Sequence, residues 1–284
     1  PAGVPAERYE RFSPSGLEQY IQCPFLFFAD RTLRLQGPPP QPEERIDELL
    51  KGSIIHRTVA RWTAAGGDIG PVFEQVFAET CEHECIRLNY RAEALKMELR
   101  ADLERFARFE QGRAKPPGFE PGPPESSFEY TVEEGVERPF RITGRIDRYE
   151  TSPGRAVVVV DYKYSRPDRL RRLCREQEQG LRVQAPLYLL GLERERGLTP
   201  AGMLFYGLRK EPSRHGWFAA GVGPAEPDLE ALPPAEFRAL LEAAAARTLE
   251  IVGEIRQGVV AVRPRDPQVC REYCRYREVC PVNL

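Results

Sequence analysis

At 284 residues, 41% hydrophobic and 30% charged, the chain is long enough to bury one large core or two modest ones and reads as globular. Its apolar runs fall far short of a membrane span and no secretory leader precedes the first expected helix, which argues against a membrane class and leaves a cytoplasmic setting as the expectation. A net charge of −2 argues by itself against a nucleic-acid partner, but a cleft can be basic on a near-neutral protein. The first residue is Pro1 and not Met, as expected of a domain excised from a longer protein.

Residues 1–12 read as a tail or linker and 13–284 as one domain. A first helix starts near Ser13 or Ser15, where Ser15-Gly16-Leu17-Glu18 matches a capping box, and runs to Gln22-Cys23-Pro24. Gly37 to Pro42 is a proline-rich linker. A second helix is expected over 44–65, ending at Gly66-Gly67. Helices over 71–89 and 91–111 follow the apolar period and form an inserted helical lobe, 66–118; 116–124 reads as a loop. Three strands follow at 126–134, 139–149 and 155–164, joined by the turns Glu133-Glu134-Gly135 and Ser152-Pro153-Gly154. A helix over 181–196, strand-like runs Met203–Leu208 and Trp217–Val222, and an alanine-rich helix over 234–256 lead to a cysteine-rich tail, 269–284. This order predicts an α/β (α+β) fold, a central mixed sheet flanked by helices. No repeat and no G-x-x-x-x-G-K-[ST] loop occurs, which excludes a motor of that type.

The chemistry concentrates at Asp161-Tyr162-Lys163, which closes the apolar run Val157–Val160. Strand alternation puts Asp161 and Lys163 on one face and Tyr162 on the other. Asp147, at the end of the preceding strand-like segment, can join them. Two carboxylates, the carbonyl of Tyr162 and a lysine suit a hard divalent cation and an activated water, as in phosphodiester hydrolysis. The plain alternative is a solvated strand-end ion pair. Only five lysines stand among 41 basic residues, which singles Lys163 out.

His56 sits on a helix whose Ile55 and Val59 face the core, where a histidine is a metal ligand or simply half-buried. Gln184 and Tyr188, at i and i+4, share a helix face. The run Arg166–Arg175, with Arg169, Arg171, Arg172 and Arg175, either grips phosphates or forms a solvated helix face. Cys270-x3-Cys274-x5-Cys280 with the distant Cys23 suggests a four-thiolate site, zinc or iron–sulfur. Cys81-x3-Cys85 with His83 reads as helix packing, and Cys174 has no assigned role.

Taken in order, these residues resemble the PD-(D/E)XK nuclease superfamily, within it the branch of RecB and AddB nuclease domains with iron–sulfur relatives. The resemblance spans nearly the whole chain. Ser13-Pro14-Ser15-Gly16-Leu17-Glu18-Gln19-Tyr20-Ile21-Gln22-Cys23-Pro24-Phe25 looks like the family's opening helix. Gly52 with His56, Gly144-Arg145-Ile146-Asp147, Asp161-Tyr162-Lys163 and Gln184-x3-Tyr188 match its successive motifs. The closing cysteines match as well, except that the first gap is x3 where relatives have x2.

The resemblance implies a Mg²⁺- or Mn²⁺-dependent deoxyribonuclease, an exonuclease more than an endonuclease. It also implies DNA, single-stranded or at ends, as substrate, and a helicase motor in cis or in trans as partner in double-strand break repair. His56, Asp147, Asp161 and the Tyr162 carbonyl would hold the metal. Lys163 would position and activate the attacking water, with Gln184 and Tyr188 orienting the phosphate and supporting Lys163. Cys23, Cys270, Cys274 and Cys280 would hold a structural [4Fe-4S] cluster. A non-catalytic DNA-binding or scaffolding subunit, or a CRISPR-adaptation nuclease, are the alternative roles.

Overall fold

The computed structural model describes residues 9–36, 46–112, 118–224, 226 and 228–281. Strand β1 (Arg11–Phe12) leads into helix α1 (Pro14–Gln22), the short α2 (Pro24–Phe27) and a π-helical turn at Phe28–Thr32. Three longer helices follow, α3 (Glu48–Ala65), α4 (Ile69–His83) and α5 (Tyr90–Gly112). Next come β2 (Glu120–Pro121), β3 (Ser126–Val132), β4 (Phe140–Ile146), β5 (Arg148–Thr151) and β6 (Ala156–Lys163), then α6 (Pro167–Glu178) and α7 (Gln184–Arg196). Strands β7 (Thr199–Gly207), β8 (Ser213–Ala219) and β9 (Leu229–Leu232) precede α8 (Pro234–Arg256); α9 (Pro267–Tyr273) and a 3₁₀ turn at Arg277–Val279 close the chain.

Polar caps explain most helix boundaries. Ser13 caps α1, its hydroxyl accepting from Gly16 N at 3.1 Å, with Pro14 in the first turn. The capping-box reading of Ser15 and Glu18 is therefore corrected, and Glu18 is free for a longer-range contact. Asp47 caps α3 through Leu50 N; Asp68 caps α4 through Gly70 N, which starts that helix two residues before the predicted position. Cys85, with φ 51°, and the Asn89 cap on Ala92 N separate α4 from α5. The Gly37–Pro42 linker lies outside the described residues. Arg11–Phe12, expected in a tail, instead pairs in parallel with Arg141–Ile142.

The strands form two sheets. One has the order β1-β4-β3 and the other β2-β5-β6-β7-β8-β9. The segment read as one strand over 139–149 bends at Asp147 and passes from the first sheet to the second, so its halves are separate strands. In the larger sheet β6 pairs antiparallel with β5 and parallel with β7, the crossover carrying α6 and α7. β8 begins four residues before the predicted run because its register starts at Ser213 opposite Gly207.

The larger sheet is covered on both faces. Val157 and Val159 of β6, with Met203 and Phe205 of β7, pack into a core with α1, α7 and α8. Val158, Val160 and Tyr162, with Leu204 and Tyr206, pack against α3, α4 and α5 on the other side. Continuous valines follow from this double burial. Gly144 and Gly191 permit the close approach of α7 to β3 and β4: a Cβ at either would lie within 2.6 Å of the Phe128 ring. The architecture is thus a mixed α/β fold with helix-flanked sheets. Among the described residues no helix is long and apolar enough to cross a membrane.

Candidate active site

The end of β6 behaves as alternation requires. Asp161 and Lys163 continue the Val157/Val159 face toward α7, with Lys163 Nζ 2.7 Å from Asp161 Oδ2. Tyr162 turns to the opposite face, its ring edge-on to Phe106 and Tyr206. The register pairs Arg148 with Val160, which sets Asp147 across from Asp161. Tyr162 N donates to Asp147 Oδ2 at 3.0 Å, and His56 Nδ1 from α3 lies 3.1 Å from Asp147 Oδ1. From α7, Gln184 Oε1 accepts from Lys163 Nζ at 3.5 Å, while Gln184 Nε2 donates to the Tyr188 hydroxyl. Seven predicted residues therefore come together, six by their side chains and Tyr162 by its backbone.

Asp161 lies at the bottom, 2% exposed, whereas Asp147, Lys163 and His56 are 20, 29 and 30% exposed, so the site opens on their side. Burial drives the Asp161 carboxyl up; Lys163 pulls it back and the Asp147 charge pushes it up again, leaving it above the usual range. Burial acts the same way on Asp147, but the His56 hydrogen bond and charge, Lys163 and the Tyr162 amide outweigh it and hold that carboxyl low. Two adjacent carboxylates are thus driven in opposite directions. Burial disfavours the Lys163 and His56 cations; Asp161 overcomes it for Lys163, and Asp147 for His56, so both stay above their ordinary values.

Among the described residues no three Asp, Glu, His or Cys side chains are arranged as a closed metal site. His56 pairs with Asp147 and Lys163 with Asp161. The donor set nonetheless fits a hard divalent cation. Asp161 Oδ2 is buried and, although Lys163 is near, receives no well-directed hydrogen bond; a cation would satisfy it.

The sequence reading omitted Glu18 from the site. α7 starts after Val183, which offers no side-chain cap. Glu18, 8% exposed, reaches across from α1 instead: its Oε1 accepts from Val183 N and Gln184 N, both at 3.0 Å, and Oε2 from Arg182 Nη1 at 2.6 Å. A carboxylate at a helix N-terminus is doubly favoured, by the open amides and by the dipole. It fixes Gln184 and hence the orientation of Lys163.

The predicted arginines divide. Arg171 is engaged by Asp168 at 2.7 Å and lies 3.9 Å from Asp228, and Arg175 is exposed in the last turn of α6. Arg172 bonds the buried Glu176, near which Arg169 also stands. The cysteine corner forms at the far end of α1. Burial raises the Cys270 thiol, and the thiols of Cys274, Cys23 and Cys280 raise it further, Cys274 as a hydrogen-bond partner. Arg265 N donates to Gln22 O at 2.9 Å, and the Tyr276 hydroxyl lies 2.8 Å from Asp30 Oδ1 and 2.9 Å from Leu35 O. The tail is therefore anchored on the opening helices independently of the thiols. Cys81 is buried in the α4 packing, and burial pushes the Cys174 thiol up to about 12.

A family model described as the PD-(D/E)XK nuclease superfamily matches residues 11–281, and the chain belongs to that superfamily. A crystal structure described as "Putative exonuclease" from Eubacterium rectale is similar in fold: TM-score 0.53, 14% identity, 97% of this chain and 91% of that chain covered. The crystal structure of SSO0001 is also 14% identical, at TM-score 0.38, with 97% and 87% covered. No curated protein matches the chain.

Proposed function

We propose that the protein is a metal-dependent deoxyribonuclease of the RecB/AddB type, acting on single-stranded DNA or DNA ends as an exonuclease. It would serve as the nuclease module of a helicase–nuclease in double-strand break repair. The observation that carries the reading is the end of β6. A buried carboxylate shares a face with a charged lysine 2.7 Å away, opposite a second carboxylate held ionised by a histidine. Membership of the nuclease superfamily supports it, and the exonuclease description of a fold neighbour favours end-processing.

His56, Asp147, Asp161 and the Tyr162 carbonyl would hold Mg²⁺ or Mn²⁺. The bound ion supplies positive charge to the phosphate and activates water. Lys163 remains an ammonium because Asp161 and Asp147 outweigh its burial. It can hold the attacking water by hydrogen bonding and stabilise charge developing on the phosphate. Gln184 holds Lys163 in place from α7 and is itself held by Tyr188 and Glu18. A Cβ at Gly52, one turn before His56, would meet nothing within 4 Å, so the helix surface is open there. Cys23, Cys270, Cys274 and Cys280 would hold a [4Fe-4S] cluster; the influence of the other three thiols on Cys270 supports the reading. Arg169, Arg171, Arg172 and Arg175 would add positive charge beside the strand path.

The test is cleavage of end-labelled single-stranded DNA with Mg²⁺ or Mn²⁺ by the parent and by Lys163→Ala. Cutting that collapses in the variant is expected, and the product ladder would show polarity. A folded, cluster-loaded parent that cuts neither single strands nor duplex ends would favour a binding subunit instead.

A further inference from the structure

Beside the α7 N-terminus, three arginines from three segments bond one carboxylate. Glu176, 7% exposed, accepts from Arg172 Nε at 2.8 Å and Arg265 Nη2 at 2.7 Å on Oε1, and from Arg182 Nε at 3.1 Å on Oε2. Arg182 also bonds Glu18, the same carboxylate that caps Gln184. Asp266 is a third acid, 3.9 Å from Arg172, with its other oxygen capping α9. Arg169 is the fourth guanidinium. It is exposed and lies on the same α6 face as Arg172 and Glu176, at i, i+3 and i+7, where partial burial and the charges of Arg182, Arg172 and Arg265 lower its pKa against the pull of Glu176. Four guanidiniums thus face three carboxylates, and Arg169 has no ion-pair partner among the described residues.

A purely structural knot needs no fourth arginine, and none repelled by the other three. A phosphate would complete the cluster, because guanidiniums bind phosphate oxygens bidentately and are weakly hydrated. The location matters too. One carboxylate, Glu18, spans from Arg182 to Gln184, and Gln184 touches Lys163, so the cluster neighbours the reacting position. Arg265 ties it on the other side to Gln22, next to Cys23.

We propose that Arg169, Arg172, Arg182 and Arg265 form a second phosphate-binding site, which takes a phosphate of the substrate strand next to the one at Lys163 and sets how the strand approaches. Arg169 is the member dedicated to the ligand; the other three are shared with Glu176 and Glu18. This rests on the nuclease reading above.

The test is binding of a fluorescent oligo-dT to Arg169→Ala, Arg169→Lys and the parent over a range of NaCl. It uses oligonucleotides carrying a 5′-phosphate, a 3′-phosphate or neither. Loss of one phosphate contact lowers the slope of log K against log salt by about 0.7 for a single strand and weakens binding several-fold whatever the base sequence. Arg169→Ala should show this with an unchanged melting temperature, and Arg169→Lys should restore part of the affinity. The same loss on all three oligonucleotides identifies an internal phosphodiester; loss confined to one end-phosphorylated strand identifies a terminal phosphate. An Arg169→Ala slope and affinity equal to the parent's on all three would overturn the site. Metal-dependent cutting by the parent, abolished in Lys163→Ala, is read separately, so failure here leaves the nuclease reading standing.

Discussion

Two clusters of buried charge grow from the same strand ends, on opposite faces of one sheet. Asp147, Asp161 and Lys163 face α7. The next residue, Arg148, faces α5, where it donates to Glu110 Oε1 at 2.7 Å and to Glu150, and approaches the Tyr162 hydroxyl at 3.2 Å. In that second cluster Arg148, Glu110 and Glu150 are 5, 7 and 2% exposed and closed to solvent, and the two Nη atoms of one guanidinium bridge both carboxylates. The first cluster is open at His56 and Lys163 and keeps a buried oxygen without a directed donor. Burial is common to both. Access distinguishes the cluster suited to chemistry from the one that holds strands together.

The largest expected effect is on the open cluster: Lys163→Ala should cut metal-dependent cleavage by about 10³-fold, measured in single turnover, with the melting curve nearly unchanged. The closed cluster should respond the other way. Glu110→Gln leaves Arg148 short of a buried counter-charge and should cost about 3 kcal/mol in denaturant unfolding, while the cleavage rate per folded molecule is kept. On the proposed cluster, Cys274→Ala should abolish iron binding, seen in the visible spectrum, and lower the melting temperature by several degrees. Equal melting of variant and parent would remove the cluster's structural role. Glu18→Ala uncaps α7 and should cost about 1 kcal/mol of stability. It should also lower kcat, by loosening Gln184.

The smallest effect concerns a buried titratable group away from both clusters. Burial, reinforced by Arg171 and opposed by Asp228, lowers the pKa of His215 on β8. The unfolded chain binds that proton more readily than the folded one, so stability should fall as pH drops below about 6.5. His215→Leu should flatten that part of the pH–stability curve without changing the pH dependence of cleavage.

Much of the open cluster was legible because it depends on local rules. Alternation along Val157–Lys163 put Asp161 and Lys163 on one face, and the helical repeat put Gln184 with Tyr188. The alanine-rich helix was framed by Pro233-Pro234 and emerged at the predicted 234–256. What stayed hidden depends on contacts between distant segments. Glu18 matched a local capping pattern, yet its partners lie more than 160 residues away. The bend at Asp147 looks like an unbroken strand because the residues on both sides are strand formers. Arg214 and His215 are buried in β8, and polar residues inside a strand erase the alternation that would reveal it. Arg148 gave no signal at all, since its acceptors come from α5, from β6 and from its own strand.

The most direct measurement compares Asp161→Asn with Glu110→Gln, each assayed for Mn²⁺-dependent cleavage of single-stranded DNA and for thermal unfolding. The account predicts a crossed result: Asp161→Asn melts close to the parent and does not cut, whereas Glu110→Gln melts well below it and cuts normally at temperatures where it is folded. Cutting by Asp161→Asn at the parent's rate would contradict the assignment of the open cluster as the reacting site.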